Sequence, residues 1–164
     1  EEELATMSYY DAFKGRDPRM AQTIQGPGFI EVGETAPKQL SWERTLNGYR
    51  VIKYISDVSH EGATTSTSDF VLFRYGEVLL NYAEAMNELN LMTEDVWNST
   101  VGALRNRAGI ANIYPKSGDY SRDEWLYDYY TKNVSHPMYT KGDLDIALEI
   151  RRERVAEMTF ENVS

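Results

Sequence analysis

The stretch 69–109, DFVLFRYGEVLLNYAEAMNELNLMTEDVWNSTVGALRNRAG, decides the fold. Leu72, Tyr75, Leu79, Ala83 and Met86 recur at steps of three and four, so the spacing predicts a helix that buries them, with Arg74, Glu77, Asn81 and Glu88 elsewhere. Ser68 or Asp69 is placed to cap it, and the apolar period lapses over 87–90, where a turn is expected. A second helix is expected from Thr93, whose hydroxyl can accept a first-turn amide, with Glu94 and Asp95 at the positive end of the helix dipole. Its buried stripe is Trp97, Val101, Leu104 and Ala108. Arg105 and Arg107 then oppose the negative end, and Gly109 can take the left-handed conformation that closes a helix.

Two helices over roughly 35 residues have the length of one tetratricopeptide-type hairpin, which cannot bury its apolar face without neighbours. Upstream, Asp17-Pro18 and Gly26-Pro27-Gly28 set turns in a loop-rich segment, where Arg16, Asp17 and Arg19 are expected to form an ion-pair knot. Residues 48–55 are rich in β-branched and aromatic side chains and suit a short strand, in a hairpin or at an edge. Downstream, Ser121 and Glu124 form a capping-box pattern ahead of a helix reaching about Thr131, unusually aromatic with Trp125, Tyr127, Tyr129 and Tyr130. Asp143 is placed to cap a last helix, with Leu144, Ala147, Leu148, Arg151, Val155 and Met158 inward and Glu149 and Glu153 lacing the outside with Arg152 and Arg154. Arg151 is expected to reach Glu77 or Glu84. The fold class is therefore mainly α, with a loop-rich part over 1–68 and a helical part over 69–164.

The whole chain bounds the partners. Its 164 residues suffice for a real core, and 41% apolar with 26% charged residues is the composition of a folded protein. A net charge of -9 argues against a nucleic-acid backbone or an anionic lipid surface, since phosphate binding needs surplus Lys and Arg. With no cysteine, thiolate nucleophiles and zinc-thiolate sites are excluded. No apolar run approaches the roughly 20 residues that span a bilayer, and Glu1-Glu2-Glu3 is unlike the basic start of a signal peptide.

Chemistry of bond cleavage finds little support. The two histidines, His60 and His136, fall in expected loops, and neither a zinc-protease pattern nor a nucleophile elbow occurs. Residues 119–123 begin like a calcium loop, but Glu124 and Tyr130 stand where Gly and Glu are needed. No catalytic residue, metal site or cofactor is expected. What stands out is the aromatic surplus, twelve tyrosines and three tryptophans. Flat rings on the surface can stack on the apolar faces of sugars, and Trp42, Tyr49, Trp125, Tyr129 and Tyr139 are the candidate ligand-binding residues.

Four blocks carry a resemblance. Leu72-Phe73-Arg74-Tyr75-Gly76-Glu77 running to Ala85, followed by Leu104-Arg105-Asn106-Arg107-Ala108-Gly109, resembles the C-terminal half of the SusD/RagB family. Arg16-Asp17-Pro18-Arg19 with Thr23-Ile24, Gly48-Tyr49 leading to Lys53-Tyr54, and Arg151-Arg152-Glu153-Arg154 with Glu157 and Phe160-Glu161 match further family segments in the right order. Residues 112–141 read as an insertion relative to that pattern, and Asn162-Val163-Ser164 replaces the expected Gly-x-Arg-x-x-Asp-Leu continuation. The resemblance implies a SusD-like helical fold and a surface-exposed lipoprotein of the bacterial outer membrane, its lipid anchor outside this chain. It also implies non-catalytic binding of an oligosaccharide or peptide, passed to a SusC-like TonB-dependent transporter. A helical-repeat scaffold for a protein partner, a glycoside hydrolase accessory domain and a complete cytoplasmic protein are the competing readings.

Overall fold

A computed structural model describes residues 8–40, 45, 48–60, 62, 64–66, 69, 71–132 and 141–161. The chain divides into two compact units, Glu1–Leu72 with Phe160–Asn162, and Phe73–Thr159.

The first unit is loop-rich, with single turns of 3-10 helix at Asp11–Phe13 and Val58–His60 and one short helix, α1 (Met20–Thr23). Asp17 accepts from the Arg19 amide at 2.9 Å and from its guanidinium at 2.6 Å, while Arg16 turns back to the Ala12 carbonyl at 3.3 Å. The expected strand does not form among the described residues. A single antiparallel bridge, Ile24 to Val51, is flanked by Gln25 N–H to Arg50 O (2.8 Å) and Ile52 N–H to Thr23 O (2.9 Å). The extended run is cut short because Gly48 and Tyr54 adopt positive φ (80° and 64°) at its two ends. The interior here is polar: the Glu31 side chain is fully buried and accepts from Arg50 at 2.8 Å and from Lys38. Lys53 meets Glu161 at 2.5 Å and ties the chain's two ends of this unit together.

The second unit holds the helices. α2 (Tyr75–Glu88) starts at Arg74 without a side-chain cap, so Asp69 does not serve as one, and Ser68 lies outside the described residues. Its buried face is Gly76, Leu80, Ala83 and Asn87, one residue out of phase with the expected stripe. Only Ala83 is common to both. Leu72 precedes the helix and is 80% exposed, Tyr75 is 73% exposed, and Leu79 and Met86 are half-buried. The small Gly76 and Ala83 are the reason. A Cβ on Gly76 would stand 2.8 Å from the Arg74 guanidinium and 3.2 Å from the Glu157 carboxylate, which pair across it.

Thr93 caps α3 (Glu94–Ser99) by accepting from the Val96 amide at 3.2 Å, with Glu94 and Asp95 in the first turn. The expected single helix is broken. Thr100, fully buried, turns its hydroxyl onto the Val96 carbonyl at 2.6 Å and departs from helical dihedrals (φ -118°, ψ -95°), and α4 (Val101–Ala108) begins after it. Gly109 closes α4 at φ 72°, and the amides of Gly109 and Ile110 satisfy the carbonyls of Asn106 (3.1 Å) and Arg105 (2.9 Å). Trp97, Val101 and Leu104 are buried as the spacing requires, and Ala108 is half-buried.

α5 (Glu124–Lys132) is capped by Asp123, which accepts from the Leu126 amide at 3.0 Å, so the cap sits two residues beyond Ser121. α6 (Leu144–Met158) is capped by Asp143 through the Ile146 amide at 3.1 Å. Around the core of Leu80, Ala83, Trp97, Val101, Leu104, Ile146, Ile150 and Met158, α6 packs on α2, α4 and α5.

Ala147, Leu148 and Met158 of α6 are buried as expected, but its acidic residues are not where the spacing put them. Glu149, Glu153 and Glu157 point in and are 5%, 3% and 3% exposed, whereas Arg151 and Val155 are exposed. Arg105 bridges Glu149 (2.7 Å) and Glu153 (3.1 Å), while Arg74 and Arg107 both reach Glu157. Buried carboxylates persist only when countercharges accompany them, and α4 and the start of α2 supply these. Arg154, not Arg151, reaches Glu84, at 2.9 Å, and also bonds Asn81.

Asn87 fixes where α6 begins. Buried to 3% exposure, it donates to the Asp143 carbonyl at 3.0 Å and accepts from the Asp143 amide at 3.1 Å. Asn87→Ala removes both bonds and leaves the Asp143 amide without this acceptor, while its carbonyl keeps the Ala147 amide at 3.0 Å, an expected loss of about 1–3 kcal/mol in chemical denaturation. A loss below about 0.5 kcal/mol would show that the clamp is not needed.

Candidate functional site

α5 is held by ion pairs on one side and presents rings on the other. Arg122, just ahead of the helix, grips Asp145 of α6 with two hydrogen bonds of 2.7 and 2.6 Å, and its guanidinium lies 3.9 Å from the centroid of the Tyr127 ring. The bonded Asp145 carboxylate holds the Arg122 guanidinium well above its ordinary value, fixing its charge. Arg152 of α6 reaches both Asp123, the α5 cap, and Glu149, each at 2.8 Å. Burial pushes the Tyr120 hydroxyl up to about 12, with Glu149 and Asp145 adding to the rise, so it stays protonated and donates to Glu149 at 3.5 Å. These contacts make α5 a fixed support although none of its own residues is fully buried.

On the open side Trp125 is 74% exposed and Tyr129 40%. They stand four residues apart, hence on one helical face, with ring centroids 5.8 Å apart and planes 22° from parallel. Tyr130 meets Tyr129 edge-on at 5.2 Å and 88°, bracing the ring. The result is a ledge of two nearly parallel rings. Such a surface offers an apolar face to a flat apolar partner, with indole and phenol groups at its rim for hydrogen bonds.

The structure thus brings together two of the five candidate ligand-binding residues. Tyr49 belongs to the first unit, where its ring, 41% exposed, lies 6.3 Å from Tyr9 and 6.5 Å from Phe13 in an aromatic cluster. Trp42 and Tyr139 lie outside the described residues. Tyr130 and the stack of Arg122 on Tyr127 were not among the candidates. The spacing of Trp125 and Tyr129 marks their pairing in the sequence, but nothing marks which aromatic side chains of 125–130 would face outward.

A cleft between α2 and α6, lined by Glu84, Asn87, Glu88, Ala147, Ile150 and Arg151, has room for little more than a water molecule. Among the described residues no three His, Asp or Glu side chains converge in a way that could hold a metal ion. His60 is exposed and lies 3.0 Å from the Ser59 hydroxyl, and His136 lies outside the described residues. No described helix is long and apolar enough to cross a membrane.

By its architecture the chain is a mainly α protein whose second unit carries a braced aromatic ledge. It belongs to the SusD family, whose family model SusD_RagB matches residues 2–163. No curated protein and no solved structure matches the chain. The segments that carried the resemblance supply the ion pairs of the frame: Asp17 with Arg19, Lys53 with Glu161, Arg74 with Glu157, and Arg105 with Glu153.

Proposed function

We propose that the chain is a non-catalytic binding protein for an oligosaccharide or similar nutrient, acting at the bacterial outer surface and passing its ligand to a SusC-like TonB-dependent transporter. Family membership supports the role, and the observation that carries the binding mode is the Trp125–Tyr129 ledge. A pyranose presents patches of C–H bonds that stack on an indole or phenol ring, while its rim of hydroxyls bonds to neighbouring polar groups. No bond is made or broken. The ledge needs no closure, because the α5 frame is already fixed by Arg122 and Arg152. Trp42, Tyr49 and Tyr139 are proposed as further contacts, a peptide is the second ligand class, and attachment to the membrane is proposed to run through a lipid anchor outside this chain.

Affinity electrophoresis and titration calorimetry of the whole chain against a panel of soluble polysaccharides test this. A buried tryptophan anchor at a binding surface contributes roughly 2 kcal/mol or more, so Trp125→Ala should weaken binding at least about ten-fold. Because Trp125 is three-quarters exposed, the same change should move stability by less than about 1 kcal/mol. Retained affinity in Trp125→Ala, or no binding to any member of the panel, would remove the ledge from the function.

A further inference from the structure

We infer that the α5 ledge selects uncharged glycans and excludes those carrying carboxylate or sulfate groups. This rests on the binding role proposed above and specifies its ligand class. A site for an anionic sugar needs local positive charge in excess of the carboxylates around it, usually an arginine offering two parallel N–H donors. Each cation on α5 and its supports is already paired with a carboxylate. Arg122 spends its Nε and one terminal nitrogen on Asp145 and lays its plane against Tyr127. Arg152 divides itself between Asp123 and Glu149. Lys132, one turn beyond Asp128 on α5, pairs with it at 2.5 Å, and Lys116 is taken by Asp143.

The anions are in excess. Residues 119–132 contain four carboxylates, Asp119, Asp123, Glu124 and Asp128, against the two cations Arg122 and Lys132. Glu124 is exposed and adjoins Trp125 in the chain. With a chain charge of -9 behind it, an anionic ligand approaching the rings meets net repulsion. A neutral sugar loses nothing, since carboxylates are good acceptors for its hydroxyls.

A neutral glucan and its carboxymethylated derivative, which share a backbone, provide the probes, titrated into the whole chain at low and high NaCl. The neutral polymer should bind at least ten-fold more tightly at low salt, with an affinity that NaCl leaves unchanged. The carboxymethylated polymer should gain affinity as salt rises toward 1 M, where the screening length falls to about 3 Å. Glu124→Lys should raise its low-salt affinity at least five-fold. If both polymers bind equally, or the charged one more tightly, and Trp125→Ala abolishes both, the selectivity is refuted while the binding role stands. If no neutral polysaccharide of the panel binds, the binding role fails and takes the inference with it.

Discussion

Replacing Arg105 with alanine is expected to destabilise the chain by about 3–5 kcal/mol, the cost of removing a shared countercharge from two buried carboxylates. Arg105 is 8% exposed and bonds Glu149 at 2.7 Å and Glu153 at 3.1 Å, both carboxylates lying on the inner face of α6. Its guanidinium also lies 5.3 Å from the centroid of the Trp97 ring, so truncation removes packing as well as charge. For a chain of this size the loss corresponds to a fall of roughly 6–20 °C in melting temperature. Arg105→Lys keeps the charge but offers no planar fork to span two carboxylates, and should recover only part of the loss. Neutralising the partners in the alanine background, as Glu149→Gln with Glu153→Gln, should restore stability, because the stranded charges are then gone. Melting temperatures of the three variants decide this. A loss below about 1 kcal/mol in Arg105→Ala, or no recovery in the triple variant, would show that the bridge does not hold α4 to α6.

Trp97→Ala is expected to cost a similar amount, about 3–5 kcal/mol, for a different reason. The ring is wholly buried at the centre of the apolar cluster, beside Tyr114 at 5.9 Å, and its indole N–H donates to Asn112 at 2.8 Å. Gly102 leaves the space that Asn112 occupies, since a Cβ there would fall 2.7 Å from the carboxamide. Trp97→Phe keeps most of the apolar volume and loses the hydrogen bond, so a smaller loss of about 1–2 kcal/mol is expected. The contrast is the outer stripe of α2. Tyr75, Val78 and Tyr82 are 73%, 47% and 50% exposed, and Tyr82→Ser should change stability by no more than about 0.5 kcal/mol. Urea denaturation of the three variants separates the faces. Equal losses from Trp97→Ala and Tyr82→Ser would overturn the assignment of which face is the core.

That contrast shows where the sequence is legible. Terminal signals act locally, through one side chain and the amides within a turn of it, so Thr93, Asp143 and Gly109 perform the roles their chemistry prescribes. Asp123 displaces Ser121 as a cap because both residues are competent, and the choice depends on where α5 can begin once Arg122 is fixed on Asp145. The aromatic ledge is half legible. The spacing of Trp125 and Tyr129 fixes their shared face, but only the anchoring of α5 through Arg122 and Arg152 turns that face outward.

By itself the sequence determined that helices form over 75–108 and 144–158, that Trp97, Val101 and Leu104 share a buried side, and that the chain reads as a SusD relative. It did not determine the inner face of α2, because apolar residues line two sides of that helix and periodicity alone does not choose between them. Tertiary packing chose Gly76, Leu80, Ala83 and Asn87, whose small or clamping side chains let α6 approach. Nor did it place Glu149, Glu153 and Glu157 inside, since an acidic residue on a helix reads as solvent-facing until its arginine is in view. Arg74, Arg105 and Arg107 come from segments more than forty residues away in the chain, and only the folded arrangement brings their charges to those carboxylates.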